Sequence, residues 1–169
     1  MCGIAGAIGT QDQALIRRMT DVLRHRGPDG RGYYQRDSAH LGAAQLSIMD
    51  PASGPQPLSN ATGQICIVFN GAIYNHHELR TDLQRKGHVF TTATDTEVVL
   101  RLYEEIGDDC VRHLRGMFAL AILDGERLFL FEKKRELLMF ELFYEIFMVH
   151  RGDGRAVGHI LEFMRSRLV

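Results

Sequence analysis

The chain has 169 residues, of which 45% are hydrophobic and 24% are charged, and this is enough for one domain with a buried core but short for two. Its net charge of -1 and its lack of a basic run argue against a nucleic-acid-binding protein and against attraction to an acidic membrane surface. The three cysteines include no C-x-x-C pair, which argues against a disulfide framework and against a zinc cluster. We therefore expect a cytoplasmic protein, where thiols stay reduced, and no metal site.

The first half of the chain is predicted to hold several strands and one helix. The small apolar run CGIAGAIG (2–9) is typical of a buried strand, and QALIRRMTDVLRHR (13–26) has apolar residues at helical spacing. Further β-prone runs follow, interrupted by a loop rich in proline and glycine at 50–60. These runs are GYYQRD (32–37), HLGAAQLSIM (40–49) and QICIVFNG (64–71).

The second half begins with helices and returns to strands. NHHELRTDLQRKG (75–87) is predicted to be a helix that Asn75 caps, and TDTEVVLRLYEEIG (94–107) is predicted to be a second one. DDCVRHL (108–114) adds a short third helix. GMFALAILD and ERLFLFEK are predicted to form a hairpin around an Asp-Gly turn. Strands, then helices, then strands again favour an α+β layered domain.

The character of the sequence changes at residue 133, where turn residues become scarce. We therefore divide the chain into a domain over 1–132 and a divergent tail over 133–169, which is predicted to be helical. The most apolar stretch of the tail, LLMFELFYEIFMV (137–149), is too short to span a bilayer and carries two glutamates.

The position of Cys2 directly after the initiator methionine has a chemical consequence. Loss of Met1 would give Cys2 a free α-amine, whose pKa lies near about 8. The amine can then accept the thiol proton, directly or through a water, so that one residue supplies both nucleophile and base. A buried apolar cysteine is the alternative that this position alone leaves open.

Several motifs in a fixed order support the catalytic interpretation. They are MCGIAG at the start, RHRGPDG (24–30), LSIMD (46–50), GPQPL (54–58), NGAIYNHHELR (70–80), TDTEV (94–98) and GMFALAI (116–122). Together they resemble the class II glutamine amidotransferase domain of the asparagine synthetase family, from residue 2 to about residue 131.

The resemblance implies a fold and a reaction. The fold would be a four-layer αββα sandwich of the N-terminal nucleophile hydrolase type, with the completeness of its second sheet left open by the altered tail. Cys2 would attack the side-chain amide of glutamine, and the developing oxyanion would be held by the Asn70 side chain and the Gly71 backbone N–H. Without the surrounding motif, Asn-Gly would be interpreted as a hairpin turn.

The resemblance also assigns residues that bind the substrate. Ile48 and Met49 would line the glutamine pocket, although both also suit an ordinary core strand. Asp95 would bind the α-ammonium of glutamine, or cap the helix that follows, or do both. The loop at 24–30 would have a positioning role.

Two positions depart from the family pattern. The family usually has arginine at the position of Gln45, where it binds the α-carboxylate, and glutamate at the position of Ala72. Neither residue here carries a charge, so we expect weak glutamine binding. These departures leave a second function open, in which the chain is a weak or inactive homologue that acts as a binding or regulatory module.

The resemblance implies no cofactor for glutamine hydrolysis. ATP and Mg²⁺ would belong to a synthetase domain whose S-G-G-x-D-S motif does not occur in this sequence, so a separate synthetase subunit is a possible partner. The sequence predicts neither an oligomeric state nor the acceptor of the ammonia.

Overall fold

The secondary structure follows the predicted order of strands and helices over most of the chain. A computed structural model describes residues 2–46, 54, 56–133, 147–151 and 156–157. Its helices are α1 (Gln13–Val22), α2 (His76–Arg85), α3 (Asp95–Ile106) and α4 (Cys110–His113), with 3-10 turns at Leu23–His25 and Gly107–Asp109. Its strands are β1 (Gly3–Ile8), β2 (Gly30–Arg36), β3 (Ala39–Gln45), β4 (Leu58–Ser59), β5 (Ile65–Ile73), β6 (Gly116–Asp124), β7 (Arg127–Lys133), β8 (Phe147–Arg151) and β9 (Ala156–Val157).

The strands form two sheets. The first sheet has the order β2-β3-β1-β8-β9, and the second has the order β4-β5-β6-β7. In the second sheet β6 and β7 are antiparallel neighbours joined at Asp124 and Arg127, which confirms the predicted hairpin. Gly125 in its turn has a φ of 59°, a backbone conformation that glycine adopts at little cost.

Three apolar clusters arrange these elements in layers. One cluster lies between the two sheets, a second packs the outer face of the second sheet on α2 and α3, and a third packs the first sheet on α1. Strand β5 contributes to both sides because its side chains alternate: Cys66 and Val68 face the first sheet, whereas Ile67 and Phe69 face the helices. The order is therefore helix, sheet, sheet, helix, which is the predicted four-layer αββα sandwich.

The prediction that the tail is helical is wrong for residues 147–151 and 156–157, which form strands. Residues 147–151 form β8, which runs parallel to β1 with Ile4 opposite Phe147, and β9 at 156–157 pairs with β8. Strand β1 already pairs with β3 on one edge, and a strand on its other edge satisfies backbone groups that would otherwise be unpaired. The rest of the tail beyond β7 lies outside the described residues, and the boundary at 132 stays a prediction.

Among the residues that the structure describes, no helix is long and apolar enough to cross a bilayer.

Candidate active site

Cys2 lies at the first end of β1 and is half-buried. In the register of the first sheet Gly3 is opposite Ala44, so Cys2 lies next to the end of β3 at Gln45. Ile4 packs between the two sheets and Ala5 packs toward α1. Because side chains alternate along a strand, we infer that Cys2 shares the inter-sheet side with Ile4.

The loop at 24–30 packs closely around this strand end. A Cβ atom on Gly27 would lie 2.2 Å from the Ala44 carbonyl oxygen, so only glycine fits there. The Asp29 backbone N–H donates to the Gln45 carbonyl at 3.0 Å, and Arg26 Nε donates to the Cys2 carbonyl at 3.4 Å. The loop thus supports the backbone of Cys2, in keeping with its predicted positioning role.

Asn70 and Gly71 lie inside β5 and do not form a hairpin turn. They pair with Ala119 and Phe118 of β6, so the turn interpretation of Asn-Gly is wrong. Gly71 has a φ of 145°, and a Cβ atom there would lie 2.3 Å from the Met117 carbonyl oxygen. Asn70 is only 5% exposed and lies on the same face of β5 as Val68, toward the first sheet.

Contacts between β2 and the second sheet show which ends of the sheets coincide. Tyr34 donates its hydroxyl to the carbonyl of Gly63, which precedes β5, at 2.7 Å. Nearer the other end of β2, Gly32 lies against the backbone of Gln56, whose side-chain oxygen accepts a hydrogen bond from the Phe69 N–H at 2.6 Å.

Beyond the contact that Gln56 makes between Gly32 and Phe69, the strands of the first sheet continue toward Cys2. Gly30 pairs with Gln45, which lies next to Cys2. Gly30 is two residues from Gly32 in β2 and therefore lies on the same face of the sheet. Asn70 directly follows Phe69 in β5. The end of the first sheet that carries Cys2 is therefore the end at which the second sheet carries Asn70, and both residues lie on inner faces.

Asp95 lies at the first residue of α3 and reaches the end of β5. Its Oδ2 accepts a hydrogen bond from the Ile73 N–H at 3.0 Å. Burial raises the pKa of Asp95, although the Ile73 N–H and the charge of His76 act in the opposite direction. Thr94, not Asp95, caps α3, because its Oγ1 accepts from the Glu97 N–H at 3.2 Å. The expectation that Asp95 caps the helix, alone or together with binding the ammonium, is therefore wrong, because Thr94 fills that position.

The other predicted site positions are uncharged or lie outside the described residues. Gln45 is half-buried, and its side-chain amide donates to the Gly54 carbonyl at 3.3 Å. Ala72 is half-buried two residues after Asn70 and shares its face of β5. Ile48 and Met49 lie outside the described residues, so their role in a pocket stays a prediction.

Sequence reasoning missed a buried carboxylate next to Asp95. Glu97 is 1% exposed and accepts hydrogen bonds from Thr91 and Thr92. Burial raises the pKa of Glu97, but the hydrogen bonds from the two threonines outweigh burial and leave its pKa below the ordinary value. The signal in the sequence is the motif TDTEV, in which the glutamate stands directly before the apolar residues Val98 and Val99 of α3.

The other two cysteines differ from Cys2. Cys66 and Cys110 are fully buried, and burial raises the pKa of each thiol to about 12. Both are therefore inert at neutral pH. Within the described ranges, His, Cys, Asp and Glu side chains form no group of three that could hold a metal ion.

Comparison with known proteins places the chain among amidotransferases. A family model described as a glutamine amidotransferase domain matches residues 1–146. The chain is 44% identical over 129 residues to asparagine synthetase [glutamine-hydrolyzing] 2 of Oryza sativa subsp. japonica and 45% identical over 129 residues to asparagine synthetase [glutamine-hydrolyzing] 1 of Arabidopsis thaliana. Each alignment covers 73% of this chain and 22% of the relative, so the chain spans less than a quarter of their length.

Solved structures share the fold at low sequence identity. Glutamine phosphoribosylpyrophosphate amidotransferase from B. subtilis has a TM-score of 0.58 at 22% identity, over 73% of this chain and 34% of that one. A structure titled as the allosteric regulatory enzyme of purine biosynthesis has a TM-score of 0.67 at 20% identity, over 80% of this chain and 37% of that one. With the ordered motifs, the layered fold and the family match, the chain belongs to the glutamine amidotransferase domain family.

Proposed function

We propose that this chain hydrolyses L-glutamine to glutamate and ammonia, with Cys2 as the nucleophile after removal of Met1. The observation that carries the proposal is the shared end of the two sheets, where Cys2 directly precedes β1 and Asn70 lies on the facing side of β5. The family match over 1–146 supports the same reaction.

The first half of the reaction forms a bond to sulfur. The free α-amine of Cys2 accepts the thiol proton, and the thiolate attacks the side-chain amide carbon of glutamine. The carbonyl oxygen gains negative charge, and the Asn70 side-chain amide and the Gly71 N–H donate hydrogen bonds to it. The carbon–nitrogen bond then breaks, and the amide nitrogen takes the proton from the α-amine and leaves as ammonia.

The second half restores the enzyme. Water gives a proton to the α-amine and adds to the γ-glutamyl thioester, through an oxyanion held by the same two donors. The carbon–sulfur bond breaks, glutamate leaves, and the sulfur recovers its proton. The sum is one glutamine and one water consumed for one glutamate and one ammonia formed, so the step consumes no cofactor.

Substrate binding is the weaker part of the proposed site. Asp95 would pair with the α-ammonium of glutamine, and Ile48 and Met49 would contact its apolar chain. Gln45 and Ala72 supply no charge where the family usually has arginine and glutamate. Because a charged hydrogen bond contributes about 1.5–3 kcal/mol, the loss of both would weaken binding by roughly two to four decades.

The names of the relatives suggest where the ammonia goes. The relatives are asparagine synthetases that hydrolyse glutamine, so we propose that this domain supplies ammonia for asparagine synthesis in the cytoplasm. ATP and Mg²⁺ would act in a synthetase domain or on a separate synthetase subunit.

The experiment compares the purified chain with Cys2→Ala. Mass spectrometry first establishes that Met1 is absent, and glutamate release from glutamine is then measured for both proteins. We expect release by the native chain and only background release by the variant. Equal release by both would overturn the proposal.

A further inference from the structure

A short turn at residues 91–94 directly precedes Asp95. The buried carboxylate of Glu97 accepts hydrogen bonds from the N–H and hydroxyl groups of this turn. Glu97 Oε1 accepts from the Thr91 N–H at 2.9 Å and from the Thr91 hydroxyl at 3.0 Å. Glu97 Oε2 accepts from the Thr92 N–H at 2.6 Å and from the Thr92 hydroxyl at 2.7 Å. Both carboxylate oxygens are therefore occupied by the same turn.

The Arg80 guanidinium, from α2, donates hydrogen bonds to the carbonyl groups of the same turn. Arg80 of α2 donates to the Thr92 carbonyl at 2.6 Å and to the Thr94 carbonyl at 3.4 Å. Its guanidinium carbon lies 4.2 Å from the centre of the Phe90 ring. The turn is thus fixed from α3 by an anion and from α2 by a cation.

Burial of a carboxylate at this position is expensive without full hydrogen bonding. Glu97 is buried, like its neighbours Val98 and Val99 in α3, and its carboxylate is matched by hydrogen bonds from Thr91 and Thr92. These hydrogen bonds order the two threonines that precede Asp95. Asp95 in turn reaches across to the Ile73 N–H at the end of β5.

We propose that Glu97 is a positioning residue for substrate binding: it fixes the 91–94 turn so that the Asp95 carboxylate is held at the end of β5, where the substrate ammonium binds. This inference rests on the proposed glutaminase function and deepens it. Glu97 contacts no reacting atom in this account and acts only through Asp95.

The test replaces Glu97 with glutamine, which has the same shape but turns one acceptor oxygen into a donor facing N–H groups. We expect the KM for glutamine to rise about tenfold in Glu97→Gln, the equivalent of roughly one charged hydrogen bond, with kcat nearly unchanged. Chain folding is checked by circular dichroism and thermal unfolding before kinetics are compared.

Glu104→Gln is the matched control on the same helix. Arg101 contacts both carboxylates, Glu97 at 3.4 Å and Glu104 at 2.8 Å, but the hydrogen bonds of Glu104 go to Arg101 and Asn60 and not to the 91–94 turn. A loss that comes from the Arg101 network would appear in both variants. We expect the KM of Glu104→Gln to equal that of the native chain.

Two further measurements separate positioning from a general loss of structure. Glutaric acid monoamide has the reacting amide but no α-ammonium, so Glu97→Gln should hydrolyse it as well as the native chain does. In an Asp95→Asn background Glu97→Gln should add no further rise in the KM for glutamine. If Glu97→Gln does not fold, Thr92→Val removes one donor from the same contact and is measured in its place, with a smaller rise expected.

The outcomes distinguish the two proposals. A native chain without Cys2-dependent hydrolysis would overturn the proposed function. An active native chain whose KM is unchanged by Glu97→Gln would overturn the role of Glu97 alone. An equal loss with the monoamide, or in Glu104→Gln, would also overturn that role, because the effect would then be unrelated to the ammonium.

Discussion

The carboxylate of Asp95 accepts a hydrogen bond from the backbone N–H of Ile73 at 3.0 Å. This contact joins the first residue of α3 to the last residue of β5, two positions after Gly71. The carboxylate of Asp95 does not cap α3, because the Thr94 hydroxyl accepts the capping hydrogen bond. The Asp95 carboxylate is therefore held beside the proposed oxyanion site, in a position where burial disfavours its charged form.

Replacing Asp95 with asparagine should weaken substrate binding and stabilise the fold. Burial raises the pKa of Asp95 above its ordinary value of 3.8, so the folded chain holds this proton more tightly than the unfolded chain does. The associated stability is fully present below pH 3.8 and is lost as the pH rises through the folded pKa. Asparagine can still accept the Ile73 hydrogen bond and carries no charge that burial penalises.

Urea unfolding at several pH values and steady-state kinetics check this prediction for Asp95→Asn. We expect the variant to be more stable than the native chain at neutral pH, and this advantage to shrink as the pH falls toward 3.8. The KM for glutamine should rise about tenfold or more, the loss expected for a charged hydrogen bond. A variant with native stability at neutral pH and a native KM would contradict both parts.

Gly71 should tolerate no side chain. In Gly71→Ala the added Cβ would lie 2.3 Å from the Met117 carbonyl oxygen and 2.5 Å from the Phe118 Cα, in a backbone conformation with a φ of 145°. We expect a loss of about 2–4 kcal/mol in the free energy of unfolding, because neither backbone atom can move without breaking the pairing of β5 with β6.

Gly87→Ala is the matched control for backbone strain. Gly87 also has a positive φ, 96°, but a Cβ atom there would have no heavy atom within 4 Å. The control should lose only about 1 kcal/mol, measured by the same denaturant titration. Equal losses in the two variants would show that the close approach of β6 to Gly71 has no energetic consequence.

Restoring charge at the two departures from the family pattern should improve binding. We expect a high KM for glutamine in the native chain, and a lower KM in Gln45→Arg and in Ala72→Glu. The double variant should gain roughly two decades or more, since each restored charged hydrogen bond contributes about 1.5–3 kcal/mol. A native chain with an ordinary micromolar KM, or substitutions that raise it further, would contradict this explanation of weak binding.

The three thiols should differ sharply in reactivity. Cys66 and Cys110 are fully buried with pKa values raised to about 12, whereas Cys2 is half-exposed. Brief treatment of the folded chain with iodoacetamide at neutral pH should therefore modify Cys2 alone, and peptide mapping would identify the site. Folded Cys2→Ala should stay unmodified. Rapid modification of Cys66 or Cys110 in the folded chain would contradict the burial described here.

Local patterns in the sequence were sufficient to predict most of the secondary structure. Alternation along QICIVFNG and the apolar stripe of TDTEVVLRLYEEIG predicted β5 and α3. These patterns depend on side-chain periodicity alone, which is a property of neighbouring residues. The ordered motifs then predicted the layers that periodicity cannot predict.

Contacts between distant parts of the chain could not be predicted in this way. Asn75 was expected to cap α2, but its side chain instead bonds the His113 carbonyl at 2.9 Å and the Arg115 N–H at 2.8 Å. These partners lie 38 and 40 residues away in sequence. The pairing of β8 with β1 and the role of Gln56 between the sheets are long-range in the same sense.

The central claim is that Cys2 reacts through its own thiol and its own α-amine. The most direct measurement compares glutamate release by the native chain with release by a variant that has a lysine inserted between Met1 and Cys2, which keeps the thiol but blocks its amine. We predict glutamate release by the native chain and none by the insertion variant, in which iodoacetamide still labels the thiol. Equal rates of release by the two proteins would contradict the claim.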